Sequence, residues 1–271
     1  MPTRRQFLQT TTAVVLPGLA PAAGPALPTW RLSPEGWGNA PADNVKAVID
    51  SAILELWRHF PRRTIEPIFI QRGKEGPIVH FKRNGLKEVV MMLDTQDLYW
   101  CQYVYQFAHE FCHILCGFDD DWKGNLWFEE SLCETASLFV LRRLAETWAK
   151  KAPYENWRSY ASNFAEYAQD VIDSRVNLPD NDIEGFYRRH QAELEANPTD
   201  RELNGRFSLF LLRQIETAPS LWESVTWLNS APAQKGETLA TYLLKWHNAA
   251  PARCRGFIET IARKLGQPLA T

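Results

Sequence analysis

Two histidines four residues apart, His109 and His113, bracket Glu110 in the run His109-Glu110-Phe111-Cys112-His113. On a helix, residues four apart differ by about 40° around the axis, so both imidazoles project from one face, as two ligands of a single metal ion must. Glu110 stands about 100° further round, close to such an ion but poorly placed to be its third ligand. It can reach a water instead. This is a zinc-hydrolase arrangement, in which the metal lowers the pKa of the water and the carboxylate takes its proton. A five-residue pattern arises by chance in some long chains, so its surroundings matter. Residues 97–108 contain no Gly or Pro and are dense in apolar side chains, which suits a buried helix. Phe107, Phe111, Ile114 and Leu115 then place three ionisable groups among apolar ones. Burying such groups without a partner is expensive, and a bound cation is one compensating partner. A second candidate helix, opening with Trp127-Phe128-Glu129-Glu130-Ser131, offers a carboxylate.

The elements that must position these residues can be read in outline. Residues 28–39 are rich in Pro and Gly and read as an extended lead-in. A helix is expected over 43–59, with Val45, Val48, Ile49, Ile53, Leu56 and Trp57 on one face, Asp43 as a cap and Pro61 ending it. Strands are expected at 66–71, 77–83 and 87–93, with Asn84-Gly85 as a hairpin turn between the last two. The His109 helix follows, then a loop over 117–125, then the Glu130 helix to about residue 150. Asp119-Asp120-Asp121 lacks the alternating spacing of a calcium loop and reads as a solvated turn. Further helices are expected at 155–173, 183–196, 200–216, 220–229, 236–248 and 252–265, punctuated by Pro179, Pro198, Pro219, Pro232 and Pro251. The layout is α+β: a small, mostly antiparallel sheet packed on the His109 helix, followed by a helical C-terminal half. Residues 27–150 would carry the sheet and both site helices, and 151–271 a helical subdomain.

The chain opens with Thr3-Arg4-Arg5-Gln6-Phe7-Leu8, an uncharged stretch over 10–20, and a small-residue end at 21–26. That three-part order reads as an export signal over 1–26, of the twin-arginine type from its arginine pair. Its apolar run is too short and polar to remain as a membrane anchor, so the mature chain is expected to be periplasmic or secreted. Loss of Arg4 and Arg5 with no acids moves the formal charge from −2 to −4, a mild acidity that gives no support for nucleic-acid binding. About 245 residues remain, enough for one substantial core or two small subdomains around a cleft.

Five cysteines, Cys101, Cys112, Cys116, Cys133 and Cys254, follow no zinc-ribbon or disulfide-scaffold spacing. Cys116, three residues after His113, is the best competitor for a place on the metal. Otherwise the group reads as small apolar residues packing two helices, or as one bridge between them. Trp148, Trp157 and Trp222 read as core, and His59, His80 and His247 as ordinary surface or satisfied groups.

Beyond these readings, the chain resembles the gluzincin zinc metallopeptidases, the thermolysin and aminopeptidase N superfamily. Their pattern is H-E-x-x-H on one helix and a glutamate on the next, often within W-L-N-E-G-x-A. Here Trp127-Phe128-Glu129-Glu130-Ser131-Leu132-Cys133 matches at Trp and Glu. The motifs span about 30 residues. The resemblance implies a zincin-like fold, zinc as cofactor, His109, His113 and Glu130 as its ligands, Glu110 as general base, and a peptide or protein as substrate. It also implies an edge strand that pairs with the substrate backbone, for which 87–93 is the candidate.

The sequence departs from the family in two ways. Sixteen residues separate His113 from Glu130, slightly fewer than usual, whereas Glu134 would give twenty. The Trp-x-x-Glu context favours Glu130, and Glu134, one turn on, could then accept a hydrogen bond from a ligand imidazole. The family's oxyanion-stabilising tyrosine or histidine also has no clear match: Asn204 stands where a tyrosine would, and Arg206, Tyr187 and His190 are the other candidate donors. Glu129 could recognise a free amino terminus. The competing reading is a binding or scaffold protein on a degenerate peptidase fold with structural zinc, and a weaker one is a metal-dependent hydrolase of non-peptide substrates.

Overall fold

In a computed structural model that describes residues 27–118 and 125–269, the chain folds as a small mixed sheet set against helices. The first helix, α1 (Ala42–Trp57), forms where apolar residues recur every three or four positions. Val45, Val48, Ile49, Ala52, Ile53, Leu56 and Trp57 are all buried along its inner stripe. It links β1 (Trp30–Leu32) to β2 (Ile68–Arg72), and these strands are parallel, as a helical crossover allows. β3 (Ile78–His80) and β4 (Val89–Leu93) are antiparallel, while β4 and β2 are parallel.

The strand order β1-β2-β4-β3 corrects three expectations. The sheet is mixed, not mostly antiparallel: β2 and β4 pair in parallel, and a further parallel strand, β1, lies within the stretch read as an extended lead-in. Three residues are too few for a periodic signal, and β1 is fixed by partners far along the chain, Ile68 N–H to the Thr29 carbonyl (3.0 Å) and Ser33 N–H to that of Ile70 (2.8 Å). The strand at 87–93 is not an edge: β4 lies between β2 and β3, burying Val89, Met91 and Leu93. The exposed edge on that side is β3. The hairpin does not turn on Asn84-Gly85 alone either. Its connection runs over 81–88, organised by the Asn84 side-chain oxygen, which accepts from Leu86 N–H (2.9 Å) and Glu88 N–H (3.0 Å).

The two helices expected to carry the chemistry are present: α2 (Trp100–Leu115) and α3 (Leu126–Lys151). α3 is buried almost all round over its first four turns, which marks it as the central helix. The C-terminal half is helical as expected. It comprises α4 (Ala161–Asp173), α5 (Ile183–Ala196), α6 (Arg201–Thr217), α7 (Leu239–Ala249) and α8 (Ala252–Lys264), with 3-10 turns at Glu155–Tyr160 and Pro219–Trp227. Asp200 caps α6 by accepting from Glu202 and Leu203 N–H, both 2.9 Å. The buried apolar side chains form one continuous core from Trp37 to Leu265, with Trp148 and Trp222 inside it and Trp157 packed against it. All five cysteines are buried and free, so no bridge joins the helices. Among the described residues no helix is long and apolar enough to cross a membrane. The export-signal reading of 1–26 and the Asp119–Asp121 turn lie outside the described residues.

Candidate metal centre

α2 and α3 pack side by side, and their facing turns bring His109, Glu110 and His113 against Glu129, Glu130, Cys133 and Glu134. The sequence pattern dictates this. Positions 109 and 113 share one stripe of α2, positions 130 and 134 share one stripe of α3, and the apolar residues around each stripe press the helices together.

Glu130 spans both imidazoles. One of its oxygens lies 3.1 Å from His109 Nε2, the other 3.6 Å from His113 Nε2. Two donors bonded at about 2.0–2.1 Å to one tetrahedral ion lie about 3.3–3.4 Å apart. The ring nitrogens facing away are also engaged. His113 Nδ1 donates to Glu129 at 2.6 Å, and His109 Nδ1 lies 3.6 Å from Glu134. The Glu129 carboxylate on His113 Nδ1 selects the tautomer that leaves that ring's Nε2 lone pair toward a metal, while Glu134 at 3.6 Å makes only an electrostatic contact with His109. His109, His113 and Cys133 moreover hold ligand atoms all within 4.8 Å of one another, a group that could hold a metal ion. The residues present therefore fit a bound cation.

Two sequence expectations change here. Glu129 is not available to a substrate amine: it is 1% exposed, bonded to His113, and accepts from Asn229 Nδ2 (2.7 Å). Asn229 is fixed in turn by the Tyr242 hydroxyl (3.0 Å). Cys116 is not the competing thiol either. It caps the end of α2, one helical turn beyond the ligand pair, and Cys133 on α3 takes that place.

Glu134 is bound more firmly on its far side. Its Oε2 accepts from the Tyr105 hydroxyl and from the Arg175 guanidinium, which also donates to Tyr105 Oη (3.1 Å) and Ser208 Oγ (2.9 Å). Arg175 lies so close to α6 that a Cβ on Gly205 would come within 2.7 Å of its Nε, which explains a glycine inside that helix. No local pattern links Arg175, Asn229 or Tyr242 to the site; each arrives from a distant element.

Four carboxylates around two imidazoles set the electrostatics. Burial opposes charge on His113, but the Glu129 hydrogen bond and the charges of Glu129, Glu130 and Glu110 outweigh it and raise its pKa to about 10. His109 is raised on the same balance, burial against the Glu130 bond and the Glu110 and Glu134 charges. Burial raises the Glu110 carboxyl, with His109 and His113 opposing, and the backbone N–H of Val79 on β3 donates to it. Burial likewise pushes the Cys133 thiol well up.

The centre opens on a cavity of about 650 Å³ whose walls include β3 residues Ile78 and Val79, the His and Glu residues above, Tyr105, Tyr167, Thr199, Arg201 and Asn204. Of the candidate oxyanion donors, only Asn204 lines it. One amide N–H of Asn204 is given to the Pro198 carbonyl (2.8 Å). Tyr187 instead stacks on Trp127, Arg206 lies over Phe186, and His190 faces Glu193. His59, His80 and His247 are elsewhere, against Phe139, Met92 and Glu259. Comparison of the chain with protein-family models, with curated proteins and with solved structures finds no match.

Proposed function

We propose that the protein is an exported, zinc-dependent metallopeptidase of gluzincin type and zincin-like fold. His109, His113 and Glu130 are its zinc ligands and Glu110 its general base. One observation carries the reading: a single carboxylate, Glu130, lies at 3.1 and 3.6 Å from the two Nε2 atoms of an H-E-x-x-H pair. Zinc bound there would supply Lewis acidity, acidifying a water and polarising the scissile carbonyl. Glu110, buried beside both histidines, takes the proton of the attacking water and passes it to the leaving amine. Glu129 and Glu134 orient the imidazoles. An extended substrate would add to the free edge of β3, whose residues 78 and 79 line the cavity. Asn204 and Tyr167 are two of the residues on the wall whose side chains carry a neutral donor for the developing oxyanion.

Cleavage of a peptide library by the mature protein, with and without chelator and alongside metal analysis, tests this. Glu110→Gln keeps the size and removes the base, so zinc content should hold while turnover falls by roughly 10²–10⁴. A variant as active as the parent would remove Glu110 from the mechanism. The second reading, a scaffold with structural metal, is favoured by Tyr187 and His190 standing off the cavity. It takes over if the parent holds zinc and cleaves nothing in a broad screen. Export rests on Arg4-Arg5. Replacing both with Lys should leave the precursor in the cytoplasm, and normal appearance of the mature form outside would overturn the twin-arginine route.

A further inference from the structure

Glu130 and Cys133 lie less than one turn apart on α3, and both approach the His109–His113 pair. Their chemistry differs. Glu130 offers hard carboxylate oxygens at 3.1 and 3.6 Å from the imidazole nitrogens, and Cys133 offers sulfur within 4.8 Å of its two histidine partners. A thiolate bonded at about 2.3 Å and an imidazole at about 2.0–2.1 Å to one tetrahedral ion lie about 3.5 Å apart. Atoms that all lie within 4.8 Å of one another leave at most about 1.3 Å for Cys133 to close onto a shared ion. Cys133 is fully buried, so the sulfur is directed into the helix interface and not to solvent.

We propose that Cys133 is an alternative metal ligand. The centre holds a borderline ion such as zinc through His109, His113 and Glu130, and a soft, thiophilic ion such as cadmium through the Cys133 thiolate as well. The inference rests on the peptidase reading in taking His109, His113 and Glu130 as ligands. A thiolate binds zinc as well, but it gains more from a softer ion, so an added sulfur shifts the preference from zinc toward cadmium. On binding, the thiol proton leaves to solvent as the metal–sulfur bond forms, one proton per ion. Were all four side chains to bind one tetrahedral ion, they would leave it no position for water or a substrate carbonyl.

The test is a cadmium titration of the full chain followed by near-ultraviolet absorption, where a cadmium–thiolate bond gives a charge-transfer band that nitrogen and oxygen ligands do not. The band should grow to one equivalent in the parent. It should vanish in Cys133→Ser and Cys133→Ala and remain in Cys112→Ala and Cys116→Ala. The preference for cadmium over zinc, measured by competition, should fall about tenfold or more in the Cys133 variants. Far-ultraviolet circular dichroism identifies any variant that fails to fold, and the near-isosteric Cys133→Ser then carries the comparison. A parent that binds one cadmium without the band, or a folded Cys133 variant that keeps it, overturns the proposal. If the parent also binds zinc and cleaves peptides, only the thiolate role is lost. A parent that binds neither ion overturns this inference and the peptidase reading together.

Discussion

Glu129, Glu130 and Glu134 share little more than one helical turn, yet each meets a different nitrogen. Glu130 faces the two Nε2 atoms, Glu129 bonds His113 Nδ1 at 2.6 Å, and Glu134 approaches His109 Nδ1 at 3.6 Å. Three single substitutions should therefore rank. Glu130→Ala removes a charged oxygen from the metal itself and should lower zinc affinity most. Glu129→Ala and Glu134→Ala remove orienting carboxylates, each costing about 10–100-fold in zinc affinity, the usual range for such support. Glu129→Ala should be the costlier of these two, because its bond is shorter and its loss also removes the acceptor of the part-buried Asn229 amide. Zinc content after dialysis against a graded chelator series reads the order directly. If Glu134→Ala empties the site while Glu130→Ala does not, the assignment is off by one turn. At this scale much was legible in the sequence: helical spacing alone puts His109 with His113 and Glu130 with Glu134. The role of Glu129 was not, because its partner is set by how far α3 is rotated against α2, which no spacing along one helix reveals.

Elements decide what the residues can reach. The edge beside the site is β3 and not β4 because β4 pairs in parallel with β2 on one side and antiparallel with β3 on the other. Long periodic helices announce themselves in sequence, and α1, α2, α3 and the C-terminal helices stand close to where patterning put them. Strand order depends on contacts between distant segments and did not. The same applies to α6, where Gly205 reads as a helix weakness of about 1 kcal/mol relative to Ala. Its reason is Arg175, which crosses the helix at that point on its way to Glu134, Tyr105 and Ser208. Gly205→Ala should accordingly lower the melting temperature instead of raising it, and weaken zinc retention, because the new Cβ displaces a guanidinium pinned at three partners. In an Arg175→Ala background the same substitution should be neutral or stabilising. This double-mutant cycle isolates the coupling. Equal effects of Gly205→Ala in both backgrounds would show that the contact does not matter.

For the whole molecule, the centre lies where the core meets the cavity, with His109, His113 and Glu130 part-buried and Cys133 fully buried. α3 carries Glu129, Glu130, Cys133 and Glu134, and its other faces pack against α1, α4 and α6, so both halves of the chain close on the helix that bears the site. Metal occupancy and global stability should then be linked. An ion that binds the folded chain and not the unfolded one stabilises it by about 2.7 kcal/mol at a hundredfold excess over its Kd. For a chain of this size each kcal/mol shifts the melting temperature by about 2–4 °C. Chelation should therefore lower it by about 5–10 °C, and readdition of zinc should restore it in proportion to the logarithm of free zinc. The shift should be global, the same by tryptophan fluorescence and by circular dichroism, since Trp127 and Trp148 lie on α3 itself. Glu130→Ala should show little of the zinc response and Glu110→Gln most of it, because one residue holds the ion and the other only uses it. A melting temperature indifferent to zinc in the parent would mean that no ion is held by the folded state, and the catalytic reading would fall with it.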